Sequence, residues 1–138
     1  MKITFLNLQK TVPIPAKKIK AIILKVLKGE NVKKTGWINV CFVDNARIKK
    51  FNNKFHKTKA STDVLAFNLS RKKEKNTLLA DIIVSAQTAL QQARRLKTTP
   101  DYELSLYVAH GLLHILGFND RSNTQIKIMR KKESRYVN

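Results

Sequence analysis

Two of the chain's three histidines, His110 and His114, stand four residues apart in the segment His110-Gly111-Leu112-Leu113-His114-Ile115-Leu116-Gly117-Phe118-Asn119-Asp120. On a helix this spacing sends both imidazoles out of one face, one turn apart, where they can bind a single zinc ion. A third ligand has to come from elsewhere. Gly117 can take the positive φ that ends a helix and doubles the chain back. Asp120 then falls within reach of the same ion, and a carboxylate is an acceptable zinc ligand. The expected centre is one Zn2+ per chain on His110, His114 and Asp120, a zincin-like site on a helix. Three protein ligands leave a fourth position for water, as catalytic zinc sites do. The competing reading makes the two histidines hydrogen-bonded core residues of an apolar helix.

The elements that must position these residues can be read from periodicity. Residues 2–8 form a strand with Ile3 and Phe5 on one face and Leu6 and Leu8 on the other. After Pro13 and Pro15, the apolar positions Ile19, Ile22, Ile23, Val26 and Leu27 follow the helical i, i+3, i+4, i+7, i+8 pattern, with Gly29 as its expected left-handed cap. Residues 37–43 are rich in β-branched and aromatic types and form a second strand. Asp44 is placed to cap a short helix bearing Ile48, Phe51 and Phe55.

A polar loop at 56–61 leads to a strand at 62–69, and the charged link 70–76 joins it to a strand at 77–85 as a hairpin. The next helix opens at Ser85 and carries Ala89, Leu90, Ala93 and Leu96 inward. Thr99-Pro100-Asp101 is a helix start, with cap, first-turn proline and an acid on the dipole, and that helix runs to Gly117. Ser122 and Gln125 have capping-box spacing ahead of a last helix through Ile126 and Met129. The order β-α-β-α-β-β-α-α-α predicts one α+β domain over 1–138, a sheet of about four strands against about five helices.

Charge is the unusual quantity in the composition. Lys and Arg number 28 against 9 Asp and Glu, a formal net charge of +19. Self-repulsion of that size favours a polyanionic partner, nucleic acid first. A lysine-rich, AT-biased genome would also raise the charge. No apolar run approaches the roughly 18–20 residues that cross a bilayer, so no membrane partner is expected. The lone Cys41 excludes an internal disulfide and fits a buried thiol in a reducing cytoplasm. No dinucleotide cofactor is expected.

The segment HGLLHILGFND is similar to the H-G-x-L-H-L-x-G-Y-D-H signature of the YbeY family, bacterial metal-dependent endoribonucleases of ribosomal RNA processing. Met129 falls where that pattern has a methionine. Ser61-Thr62-Asp63-Val64-Leu65-Ala66-Phe67 resembles the family's P-T-D-V-L-S-F strand, Ala80-Asp81-Ile82 its G-D-I, and Phe51-Asn52 with Phe55 its L-N-x-x-Y segment. The resemblance covers essentially the whole chain. It implies a zinc-dependent, single-strand-specific endoribonuclease acting on ribosomal RNA and the small ribosomal subunit, with the 3′ end of the small-subunit RNA as target. Two departures stand out: Asn119-Asp120 replaces the family's Asp-His, and His56 replaces an arginine. Aspartate adds negative charge and lowers the metal's Lewis acidity. An imidazolium can hold a phosphate but lacks the planar guanidinium fork.

No residue is assigned a catalytic role outright. His56 is the candidate for a phosphate contact or acid–base role, and Asp63 for a general base. The basic runs 71–75 and 127–132 are candidates for the RNA backbone. Two other functions compete. A metalloprotease shares the H-x-x-x-H-x-x-G spacing, but it needs Glu directly after the first histidine, where this chain has Gly111. A non-catalytic, ribosome-associated RNA-binding factor would keep fold and charge without cleavage.

Overall fold

The computed structural model describes residues 1–56 and 63–138, with backbone alone for 54–56. The elements follow in the order that periodicity predicts: β1 (Lys2–Asn7), α1 (Ala16–Gly29), β2 (Thr35–Val43), α2 (Asn45–His56), β3 (Val64–Asn68), β4 (Thr77–Ser85), α3 (Ala86–Leu96), α4 (Pro100–Ile115) and α5 (Asn123–Val137). The sheet order is β1-β2-β4-β3. β2 runs parallel to β1 and β4, and β3 closes the predicted hairpin antiparallel to β4, as an edge strand.

Alternation along the central strands decides where the core sits. Ile38, Val40 and Phe42 of β2 and Leu78, Ala80, Ile82 and Val84 of β4 face the same side. There they meet Ile19, Ile23 and Val26 of α1 and Leu104, Val108 and Leu112 of α4, all of them buried. Each large side chain so buried contributes about 1.5–3 kcal/mol, so this layer carries most of the stability. The opposite face has a smaller cluster, Val43, Ile48, Leu65 and Ile83, beneath α2. Beyond it a polar row crosses the face, with Trp37 and Leu79 on its far side. Thr4, Asn39 and Asp81 sit abreast on β1, β2 and β4, with Thr4 Oγ1 donating to Asn39 Oδ1 and Asn39 Nδ2 donating to Asp81 Oδ1 at 3.3 Å.

The predicted caps form. Asp44 Oδ1 accepts from Arg47 N–H at 2.8 Å, Ser85 Oγ from Thr88 N–H at 3.1 Å, and Thr99 Oγ1 from Tyr102 N–H at 3.1 Å. Ser122 and Gln125 make a complete capping box. Gly29 is the exception. It stays inside α1, and Asn31 takes the positive φ of 57°, closing the turn through Val32 N–H to the Leu27 carbonyl at 2.8 Å. What glycine supplies there is space: a Cβ on Gly29 would stand 2.4 Å from the Tyr136 hydroxyl oxygen.

Other expectations shift at element ends. Leu8 lies past β1 and Leu96 is 52% exposed, not turned inward. The strand expected at 62–69 is described from Val64, with the Asp63 carbonyl accepting from Ser85 N–H at 2.9 Å. The loop expected at 56–61 lies outside the described residues, apart from the backbone of His56 in α2. Cys41 is half-buried against the smaller cluster, and burial pushes its thiol pKa up. No helix among the described residues is long and apolar enough to cross a membrane.

Candidate metal centre

The site is assembled by the end of α4 and the turn that follows it. Gly117 adopts φ 106°, with Gly117 N–H bonded to the His114 carbonyl and Phe118 N–H to that of Leu113, both at 3.0 Å. This pair of bonds is the Schellman closure that the glycine was expected to allow. Phe118 packs against the core, and the chain returns Asp120 to the face that carries both histidines.

The three side chains converge. His110 Nε2 and His114 Nε2 are 3.0 Å apart, and Asp120 Oδ2 lies 3.5 Å from the first and 3.3 Å from the second. A tetrahedral zinc ion with bonds of about 2.0–2.1 Å separates its ligands by about 3.3–3.4 Å, so the triangle has the dimensions of one face of such a site. Three electron-pair donors this close repel one another unless a cation or proton sits among them. The donor set therefore fits a metal ion. Asp120 is 42% exposed, and the two imidazoles are mostly covered.

Sequence reasoning missed the group that aims His110. Glu133, the one carboxylate on α5, lies with its Oε2 3.0 Å from His110 Nδ1. With Nδ1–H donated to Glu133, the Nε2 lone pair faces His114 and Asp120, which is how carboxylates orient metal-binding histidines. Burial disfavours the His110 imidazolium, but the hydrogen bond and charge of Glu133, with the charges of Asp63 and Asp120, outweigh it and raise the pKa above its ordinary value. The same field favours a metal cation. The only sequence signal for Glu133 was an acid alone in a basic helix.

A cleft of about 540 Å3 opens over the triad, lined by Asp63, Val64, Leu65 and Ala66 with His110, Gly111, His114 and Asp120. Asp63 is thus brought to the site, while the side chain of His56 lies outside the described residues. Gly111 lets α4 approach the sheet: a Cβ there would stand 3.1 Å from Val64 Cγ2 and 3.2 Å from Ile82 Cγ2. A glutamate at this position, as a zincin protease carries, would enter against the sheet and need Val64 and Ile82 to give way. Met129 is buried and lines a second recess of about 260 Å3 behind His110 and Asp120.

Comparison with known proteins identifies the family and the fold. Residues 4–138 match the family described as Endoribonuclease YbeY. A curated relative of that name from Syntrophus aciditrophicus is 33% identical over 138 residues, covering 96% of this chain and 86% of its own. Another from Pelotomaculum thermopropionicum is 32% identical, covering 79% and 75%. A third, from an Anaeromyxobacter species, is 36% identical over 70% of this chain, which spans only 50% of that longer protein. The solution structure of TM1509 from Thermotoga maritima shares the fold, with TM-score 0.65, 27% identity, and coverage of 98% of this chain and 86% of that one. With its family match running from Thr4 to the last residue, this chain belongs to the YbeY endoribonuclease family.

Proposed function

We propose that this chain is a zinc-dependent, single-strand-specific endoribonuclease of ribosomal RNA processing, acting in the cytoplasm near the 3′ end of the small-subunit RNA. The observation that carries the reading is the convergence of His110, His114 and Asp120 in an open cleft. The curated relatives' shared name and the +19 charge support an RNA substrate.

A zinc ion held by these three side chains supplies a Lewis acid for a phosphate oxygen and a water of lowered pKa. The chain's own groups do the rest. Glu133 holds the proton on His110 Nδ1 and fixes its ring. Asp63, in the same cleft, is the candidate base for the proton of the attacking water. The crowding at Gly111 stands against the protease alternative.

The test is metal content of the purified protein, wild type beside His114→Ala, with cleavage of single-stranded RNA assayed on the same samples. The reading expects about one zinc per chain and cleavage in the wild type, both lost in the variant. RNA binding without metal-dependent cleavage would instead assign the chain as a non-catalytic ribosome-associated factor. No metal in the wild type would make the histidines core residues.

A further inference from the structure

Among the described residues, the run 71–75 brings several cations to one concave surface, whereas the run 127–132 brings only Arg130 to the recess behind His110. Along 127–132, Met129 is buried and Lys132 is committed to Glu30, with Nζ 3.0 Å from both carboxylate oxygens. The turn between β3 and β4 behaves differently. Arg71, Lys72 and Lys75 are exposed there, and with Lys34 they line a pocket of about 270 Å3, whose one acidic residue is Glu74.

The pocket is braced. Ser70 Oγ accepts from Leu79 N–H at 2.8 Å, Thr35 N–H donates to the Asn76 carbonyl at 3.0 Å, and Asn68 Oδ1 accepts from Ser70 N–H at 3.0 Å. The same Asn68 reaches with Nδ2 to the Ile115 carbonyl at 3.4 Å, one residue past His114. Strand β3 therefore lines the metal cleft at Val64 and Ala66 and the basic pocket at Asn68. Four residue steps at about 3.3 Å separate Val64 from Asn68, a span of about 13 Å.

We infer that the pocket of Lys34, Arg71, Lys72 and Lys75 is a phosphate-holding subsite for single-stranded RNA, set a fixed strand-length from the metal centre. Its occupant is the backbone of the substrate a short way along the strand from the scissile bond. Four cations against one acid match a run of phosphates, and no base-reading group is needed. Edge strand β3 fixes the spacing between the two positions. The inference rests on the endoribonuclease reading for its meaning, but not for its test.

The test is fluorescence anisotropy with a fluorescein-labelled single-stranded RNA of about 20 nucleotides across a salt series. The proteins are wild type, the triple variant Arg71→Gln/Lys72→Gln/Lys75→Gln, and a charge-matched control, Lys17→Gln/Lys20→Gln/Lys25→Gln, on the exposed side of α1. Loss of three phosphate contacts lowers the slope of log K against log salt by about 2 for a single strand. The pocket triple is expected to show that drop, and the control less than half of it. Equal slopes for the two triples, or no binding by the wild type, would overturn the subsite. A wild type that binds through the pocket yet never cuts RNA supports the subsite and sinks the catalytic reading. Cleavage with both triples alike does the reverse.

Discussion

Glu133 Oε2 lies 3.0 Å from His110 Nδ1, so the last helix orients a candidate metal ligand carried by the one before it. Both groups are largely covered, with side-chain exposures of 25% for His110 and 13% for Glu133. Outer carboxylates of this kind are worth about 10–100-fold in metal affinity. Glu133→Ala is expected to weaken zinc binding by that factor. Glu133→Gln, whose carbonyl still accepts from Nδ1–H, should lose less. Competition against a chromophoric chelator measures both, and equal affinities in wild type and Glu133→Ala would remove Glu133 from the site.

Gly117 tests the turn without a clash, since a Cβ there would meet nothing within 4 Å. The cost of Gly117→Ala is then the positive φ alone, about 1–3 kcal/mol. Because the turn delivers Asp120, zinc affinity should fall along with stability. Chemical denaturation of the metal-free protein and zinc titration separate the two effects. Affinity unchanged despite lost stability would mean that Asp120 is not held by this turn.

Gly111 tests the packing of α4 on the sheet. In Gly111→Ala the gain in helix propensity, about 1 kcal/mol, opposes the crowding against Val64 and Ile82. Gly111→Glu brings the same crowding and pushes a carboxylate toward the sheet. It should be the less stable variant by about 3 kcal/mol or more, and it should show no casein digestion when loaded with zinc. Urea unfolding of the pair decides the ordering.

A pH dependence follows from the contact between α1 and α5. Burial alone would raise the Glu30 pKa, but hydrogen bonds from Tyr136 and Lys132, with the charges of Lys132 and Arg135, bring it below its ordinary 4.5. A depressed carboxylate stabilises the fold above its unfolded pKa, and that contribution is lost as pH falls through the lower native value. Tyr136 runs the other way. Burial, then the Glu30 hydrogen bond and charge, push its pKa up to about 12. Its contribution is complete below its ordinary 10 and is lost as pH rises toward 12. Melting temperature should therefore drop below pH 4.5 and again above pH 10. Tyr136→Phe should flatten the alkaline limb.

Element order, most caps and the three converging side chains were legible because each rests on short-range chemistry: periodicity, a cap three residues from its partner, a glycine after an i, i+4 pair. What escaped notice was long-range. Glu133 meets His110 from another helix, and Asn68 links the hairpin to the end of α4. Gly29 looked like a cap because glycine usually is one there; Tyr136, distant in sequence, is what needs its missing side chain. Spacing along a chain does not carry such encounters.

The row of Thr4, Asn39 and Asp81 also bears on how copies of this chain meet. Parallel sheets ordinarily bury both faces, yet here helix α2 roofs only part of the outer one. Three polar side chains bonded in line across the strands break the apolar surface between Cys41 and Trp37, so two sheets stacked there would have to bury polar groups. Valines in their place would turn that exterior into a contiguous oily patch and invite aggregation.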